Sequence, residues 1–156
     1  MPALPEPRAP LSTSIHEAVR VRLATVDQRY TTRRRLLVET LAAAARPLTI
    51  PEIVAATPKL PQSTIYRNLT LLAEVGVACR LPGTDDHGRY ELAEELCGHH
   101  HHLVCTRCGR VDDVVATALL ERALDEAAKA VTNRQGYLVT EHRFDQLGLC
   151  PKCSGS

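Results

Sequence analysis

Two C-x-x-C pairs, Cys105-Thr-Arg-Cys108 and Cys150-Pro-Lys-Cys153, carry the clearest chemistry in this chain. Each pair aims two sulfurs at one point, and together they supply the four soft ligands that Zn²⁺ takes in a closed tetrahedral site. A redox dithiol is the other use of such a pair, but that motif opens a helix beside a strand and needs no matching second pair. The expectation is a structural zinc that ties the C-terminus to the segment after the histidines, so that metal binding contributes to folding.

His99, His100, His101 and His102 stand just before the first pair and lead into Leu103-Val104. If that segment is a strand, side chains alternate, with His100 and His102 on one face and His99 and His101 on the other. Two different metal sites could then share four residues. An affinity tag is normally longer and terminal, whereas this run is internal; a solvated run with no ligand role is the remaining alternative.

The elements that must position these ligands follow from the rest of the chain. It has 156 residues, 44% hydrophobic and 24% charged, as expected of globular protein. No membrane span is expected, and the proline-rich first ten residues lack the apolar run of a secretory signal, so a cytoplasmic protein is expected. Six cysteines in a reducing compartment point to metal or buried thiols before disulfides. The net charge of +1 is unevenly spread: residues 1–80 hold eleven Lys and Arg against six Asp and Glu, residues 81–156 eight against twelve. A basic N-terminal half suits phosphates; an acidic C-terminal half does not. Five aromatic residues are too few for a base-stacking platform.

Thr31 to Ala45 has a capping threonine, helical spacing of Leu37, Leu41 and Ala44, and a stop at Pro47. Thr49 can cap a short second helix with Pro51 in its first turn. A third, from Gln62 to Gly76, places Ile65, Leu69, Leu72 and Ala73 on one side and Ser63, Thr64 and Arg67 on the other, with Tyr66 at the border. Strand candidates at 77–81 and 89–92 flank a turn-rich connection. Three helices and a hairpin give the order of a winged helix-turn-helix whose third helix enters the major groove. Beyond it, strand candidates at 111–115 and 137–140 enclose an amphipathic helix at 117–131 with Leu120, Leu124, Ala127 and Val131 on one face. The expected fold is α+β: a tail at 1–14, a winged-helix DNA-binding domain at 15–83, a hinge at 84–90, and an α/β dimerisation and metal-binding domain at 91–156.

The series STIYRNLTLLAEVG, RYEL, HHHHLVCTRCG and TEHRFDQLGLCPKC resembles the ferric uptake regulator family of bacterial metal-sensing repressors, from about Tyr30 to Cys153. The resemblance implies a homodimer that closes on a palindromic, A·T-rich double-stranded operator when the sensed metal binds. It places Tyr66 and Arg67 against DNA, matches Thr31 and Arg34 to residues opening the first of the three helices, and assigns Cys105, Cys108, Cys150 and Cys153 to the structural zinc. His99, His101, Glu121 and His142 resemble the third site, and His100 and His102 belong to the sensing site at the hinge.

The chain departs from the family in the remaining sensing ligands. Iron-sensing members carry a histidine early in the second helix region, where Arg46-Pro-Leu-Thr49 has none. Zinc-sensing members use the residue three past the glycine that ends the recognition helix, here Cys79, and a second cysteine that would fall near Ala93. Cys79, His100 and His102 with either Cys97 or Glu91 form a four-ligand set containing a thiolate, which favours Zn²⁺ over Fe²⁺ or Mn²⁺. A zinc uptake regulator is therefore expected, with iron, manganese or peroxide sensing as the alternatives. A small zinc enzyme built on His100, His102 and His142 is the distant alternative, and no H-E-x-x-H spacing supports it.

Overall fold

A computed structural model describes residues 13–44, 46–81 and 88–155. These residues form two units, one running to Gly98 and one starting at His99. In the first, α1 (Thr13–Ala24) and α2 (Thr32–Ala44) precede a short strand β1 (Leu48–Thr49), then α3 (Ile50–Ala56) and α4 (Gln62–Glu74). The strands β2 (Ala78–Leu81) and β3 (Arg89–Leu92) follow, and a single turn, α5 (Glu94–Cys97), closes the unit.

The start of α3 is set by local chemistry. The Thr49 side chain accepts from the Glu52 backbone N–H while the Glu52 carboxylate accepts from the Thr49 backbone N–H, a reciprocal capping box. Arg46 holds the other Glu52 oxygen at 2.7 Å. After α4 the chain reverses at Gly76, whose φ of 70° suits a residue without Cβ. Leu37, Leu41, Ile53, Ile65, Leu69, Leu72, Val77 and Leu92 then close one apolar core beneath the antiparallel sheet β1-β3-β2.

The helices and the hairpin fall where the sequence pattern puts them. Helix α1 is additional, and its Val19 and Leu23 lie one turn apart with no exposed surface. Of the expected tail only Thr13 and Ser14 are described, and both lie in α1. The connection at 82–87 lies outside the described residues. Of the expected hinge only residues 88–90 are described; the two units divide after Gly98, and β3 is hydrogen-bonded to both β1 and β2 in the first sheet.

In the second unit β4 (His101–Cys105) pairs antiparallel with β5 (Val111–Val114); α6 (Ala118–Gln135) follows, and β6 (Asp145–Gly148) pairs parallel with β4 before the turn α7 (Pro151–Ser154). Thr117 caps α6, its hydroxyl accepting from the Leu120 N–H, and Gly136 ends it in the left-handed conformation. The expected strand at 137–140 does not form. Tyr137 and Leu138 stay exposed, and the third strand is instead 145–148, which carries Cys150 back to Cys105. No residue of α6 is buried, so the expected apolar face is half-covered at Leu120 and Leu124 and open at Ala127 and Val131.

Candidate metal centres and nucleic-acid face

The four cysteines converge because β4, β6 and two tight turns end at one place. Cys105 closes β4, the turn after it brings back Cys108, and the parallel strand β6 delivers Cys150, whose backbone N–H donates to Cys105 Sγ at 3.3 Å. The four sulfurs lie within 4.8 Å of one another, and Cys108 Sγ and Cys150 Sγ are 3.7 Å apart. A tetrahedron of zinc–sulfur bonds of about 2.3 Å has edges of about 3.8 Å, so the spacing fits the ion. The backbone N–H groups of Cys150 and Cys108 pull the Cys105 thiol down to about 6. The hydrogen bond with Cys150, together with burial, pushes Cys153 up to about 12. Four thiolates gathered this closely would need a cation between them, and Zn²⁺ would supply that charge.

Through the first residues of β4 and the two that lead into it, the histidines alternate between two clusters. On one face His101, 2% exposed, sets Nε2 at 2.9 Å from Glu121 Oε1. His99 Nε2 and His142 Nε2 each lie 3.4 Å from Glu121 Oε2. Burial opposes ionisation of Glu121, but the His101 hydrogen bond and the rings of His101, His99 and His142 outweigh it and hold the carboxyl below its ordinary pKa. His142 Nε2 is buried and makes no hydrogen bond among the described residues. A ring nitrogen in that position, beside an ionised carboxylate and two further imidazoles, has the chemistry of a metal ligand.

On the other face His100 and His102 stack edge to face, with ring centroids 5.1 Å apart. Asp113 lies opposite His102 in the β4–β5 register and 3.9 Å from His100 Nε2. His100, His102 and Asp113 offer donor atoms within 4.8 Å of one another. Asp113 is absent from the ligands expected from sequence. Its signal is the acidic pair in the strand after Cys108, which becomes legible once the hairpin register puts residue 113 across from 102.

The other expected sensing ligands all lie in the N-terminal unit. Glu91 is buried in β3 and sits directly across from Cys79 in β2, so their side chains share one face of the sheet. The Cys79 thiol is pushed above its usual pKa by burial first, then by Glu91, Glu95, Cys97 and Glu94. Cys97 Sγ donates to the Leu92 carbonyl at 3.4 Å. Among the described residues neither cysteine joins a cluster of three or more metal-ligating side chains, which departs from the expected thiol-containing set. Burial and, after it, the acidic neighbours oppose ionisation of the Cys79 thiol, and the Cys97 thiol is directed at a backbone carbonyl.

The exposed side of α4 presents Ser63, Tyr66, Arg67 and Thr70 at helical spacing. Thr64 was expected on this face and is 7% exposed, packed with Ile65 on the core side. Thr31 caps α2, its hydroxyl accepting from the Arg34 N–H. The Arg34 guanidinium donates to Asn68 Oδ1 at 3.0 Å, to Gln28 Oε1 at 2.7 Å and to the Arg29 carbonyl. Arg34 thus ties the segment before α2 to α4, and burial lowers its pKa.

The sequence profile of the Ferric uptake regulator family matches residues 25–145. The chain belongs to this family. Family members are transcription regulators and not enzymes. The ferric uptake regulation protein of Bacillus subtilis (strain 168) is 33% identical over 100 residues, 64% of each chain, so this chain spans just under two thirds of that relative's length. A peroxide-responsive repressor PerR of Staphylococcus saprophyticus is 30% identical over 129 residues, 80% of this chain and 82% of its own. The structure of the Helicobacter pylori ferric uptake regulator Fur, described as having three functional metal binding sites, superposes with a TM-score of 0.75 at 25% identity, covering 95% of this chain and 98% of that one. The family fold accounts for both units found here, helices with a small sheet in each.

Proposed function

We propose that this chain is a metal-responsive repressor that binds a palindromic, A·T-rich double-stranded DNA operator as a cytoplasmic homodimer. The observation that carries the reading is the sorting of four consecutive histidines, two in β4 and two leading into it, into two clusters, each with its own carboxylate partner, beside a separate cluster of four cysteines. The Cys105, Cys108, Cys150 and Cys153 set is a structural zinc site. His99, His101, Glu121 and His142 form a second site. His100, His102 and Asp113 are the C-terminal part of the regulatory site, and Glu91 is the donor from the N-terminal unit.

A regulatory site with donors from both units is complete in only one arrangement of them, so the bound ion favours that arrangement through its unequal affinity for the two. A tenfold gain in DNA affinity needs about 1.4 kcal/mol of such coupling. Ser63, Tyr66 and Arg67 meet the major groove, and Thr31 and Arg34 hold the helices that carry them. The regulatory donors are nitrogen and oxygen, a set that suits Fe²⁺ or Mn²⁺ as readily as Zn²⁺. Zinc sensing is the second reading, favoured by Cys79 standing directly across from Glu91.

The test is fluorescence anisotropy with palindromic A·T-rich duplexes, using protein stripped of weakly held metal but retaining its cysteine-bound zinc. Zn²⁺, Mn²⁺ and Fe²⁺ are titrated separately at fixed free concentration, on wild type and Cys79→Ser. The oxygen and nitrogen site predicts that Cys79→Ser responds as wild type does. Loss of the Zn²⁺ response alone establishes the zinc sensor, and DNA binding indifferent to every metal sinks the regulator reading.

A further inference from the structure

Beyond the metal donors themselves, β6 places a carboxylate against a regulatory histidine. Asp145 opens β6 directly beside His102 in the parallel β4–β6 register, and its Oδ1 lies 3.3 Å from His102 Nδ1. Its other oxygen, Oδ2, is held at 2.6 Å by Arg143 Nη2. His102 is 5% exposed, so little water competes for its ring. A carboxylate only accepts hydrogen bonds, so the nitrogen facing it carries the proton and Nε2 is left with its lone pair. Asp113 flanks the same histidine from the opposite strand. The two carboxylates therefore stand on opposite sides of His102, one within the donor cluster and one outside it.

We infer that Asp145, anchored by Arg143, is the positioning residue of the regulatory site: it fixes the His102 tautomer and ring angle so that Nε2 is presented to a divalent cation. The inference rests on His102 being a regulatory ligand. Such carboxylate–histidine–metal arrangements raise the basicity of the ligating nitrogen as well as aiming it. Arg143 restrains the carboxylate, so that Asp145 holds the histidine without turning inward to become a ligand. The parallel strand matters here, because Asp145 reaches this position only when β6 lies beside β4, the same pairing that brings Cys150 to Cys105.

The experiment measures affinity for Mn²⁺ and for Zn²⁺ by competition with a fluorescent chelator, on full-length protein that keeps its cysteine-bound zinc. Asp145→Ala is expected to weaken regulatory binding by about 10- to 100-fold. Asp145→Asn keeps an oxygen that accepts from Nδ1–H and is expected to stay near wild type. Nitrogen NMR of protein that keeps its cysteine-bound zinc but holds no other metal is expected to show His102 protonated at Nδ1 in wild type and in Asp145→Asn, and a mixed tautomer in Asp145→Ala. Equal losses in the Ala and Asn variants would make Asp145 a ligand and overturn the proposal, as would wild-type affinity in Asp145→Ala. His102→Ala separates the two levels: unchanged affinity there removes the regulatory role of His102 itself, whereas a loss there with none in Asp145→Ala removes only the role of Asp145. If Asp145→Ala loses its tightly held zinc, Arg143→Ala becomes the test, with a smaller loss in the same direction expected and no loss overturning the anchor.

Discussion

The two units are buried in different ways. Leu37, Leu41, Ile53, Ile65, Leu69 and Leu72 make the N-terminal unit an ordinary apolar core, with hydrophobic burial as its main driving force. In the C-terminal unit the buried side chains among the described residues are Cys105, Cys150, His100, His101, His102 and Val111. All but the valine are metal-ligating types. With α6 contributing no buried residue, this unit has little buried apolar surface of its own, and the proposed zinc and, in the proposed homodimer, a second copy would supply stability that the core does not.

The largest expected effect comes from breaking the cysteine cluster. Cys150→Ser removes one sulfur and should release the zinc, whose binding in small domains is worth on the order of 10 kcal/mol. Hydrogen exchange should then show protection lost across β4, β5 and β6 while α2, α3 and α4 keep theirs. Uniform loss in both units would mean that the two do not depend on different forces. The converse substitution is Leu69→Ala in α4, at a side chain with no exposed surface. It should cost about 2–5 kcal/mol by urea unfolding and leave the zinc content unchanged.

A smaller effect sharpens the role of a partner. Val115, Leu119, Tyr137 and Leu138 are exposed by 83%, 72%, 68% and 85%, all in the unit that lacks an apolar core. Leu138→Asp should raise the dimer dissociation constant about tenfold in sedimentation equilibrium, roughly 1.4 kcal/mol, with thermal unfolding of the N-terminal unit unmoved. A dimer unaffected by a charge at 138 would place its interface elsewhere.

Sequence legibility divides along the same line. The capped starts at Thr31 and Thr49, the stop at Gly76 and the two C-x-x-C pairs depend on residues close in the chain, and all are legible in the order of the residues alone. Histidine alternation is legible for the same reason. Asp113 and Asp145 are not, because each gains its role only through strand register, 11 and 43 residues from His102. The segment at 137–140 misleads because its apolar residues look like a strand, yet among the described residues no strand pairs with them. Thr64 misleads by type: a hydroxyl on a basic helix looks outward-facing, while the packing of Ile65 and Leu69 turns it inward. Helix α1 escapes because Val21 is exposed beside the buried Val19 and Leu23, which blurs its apolar stripe.

That inconspicuous helix supplies the smallest expected effect, confined to the apolar unit. His16 on α1 sets Nδ1 at 2.9 Å from the Tyr30 hydroxyl, and their rings lie 5.9 Å apart. Burial, reinforced by the Glu39 charge, pushes the Tyr30 phenol up to about 12. An unfolded tyrosine releases its proton near pH 10, so between about pH 10 and 12 the folded state still binds a proton that the unfolded state has lost. Stability from this residue is therefore complete below pH 10 and declines as pH rises toward 12. Tyr30→Phe should flatten that decline in urea unfolding followed across pH 9 to 11, and an unchanged slope would show that the contact between α1 and the segment before α2 leaves the phenol open to water.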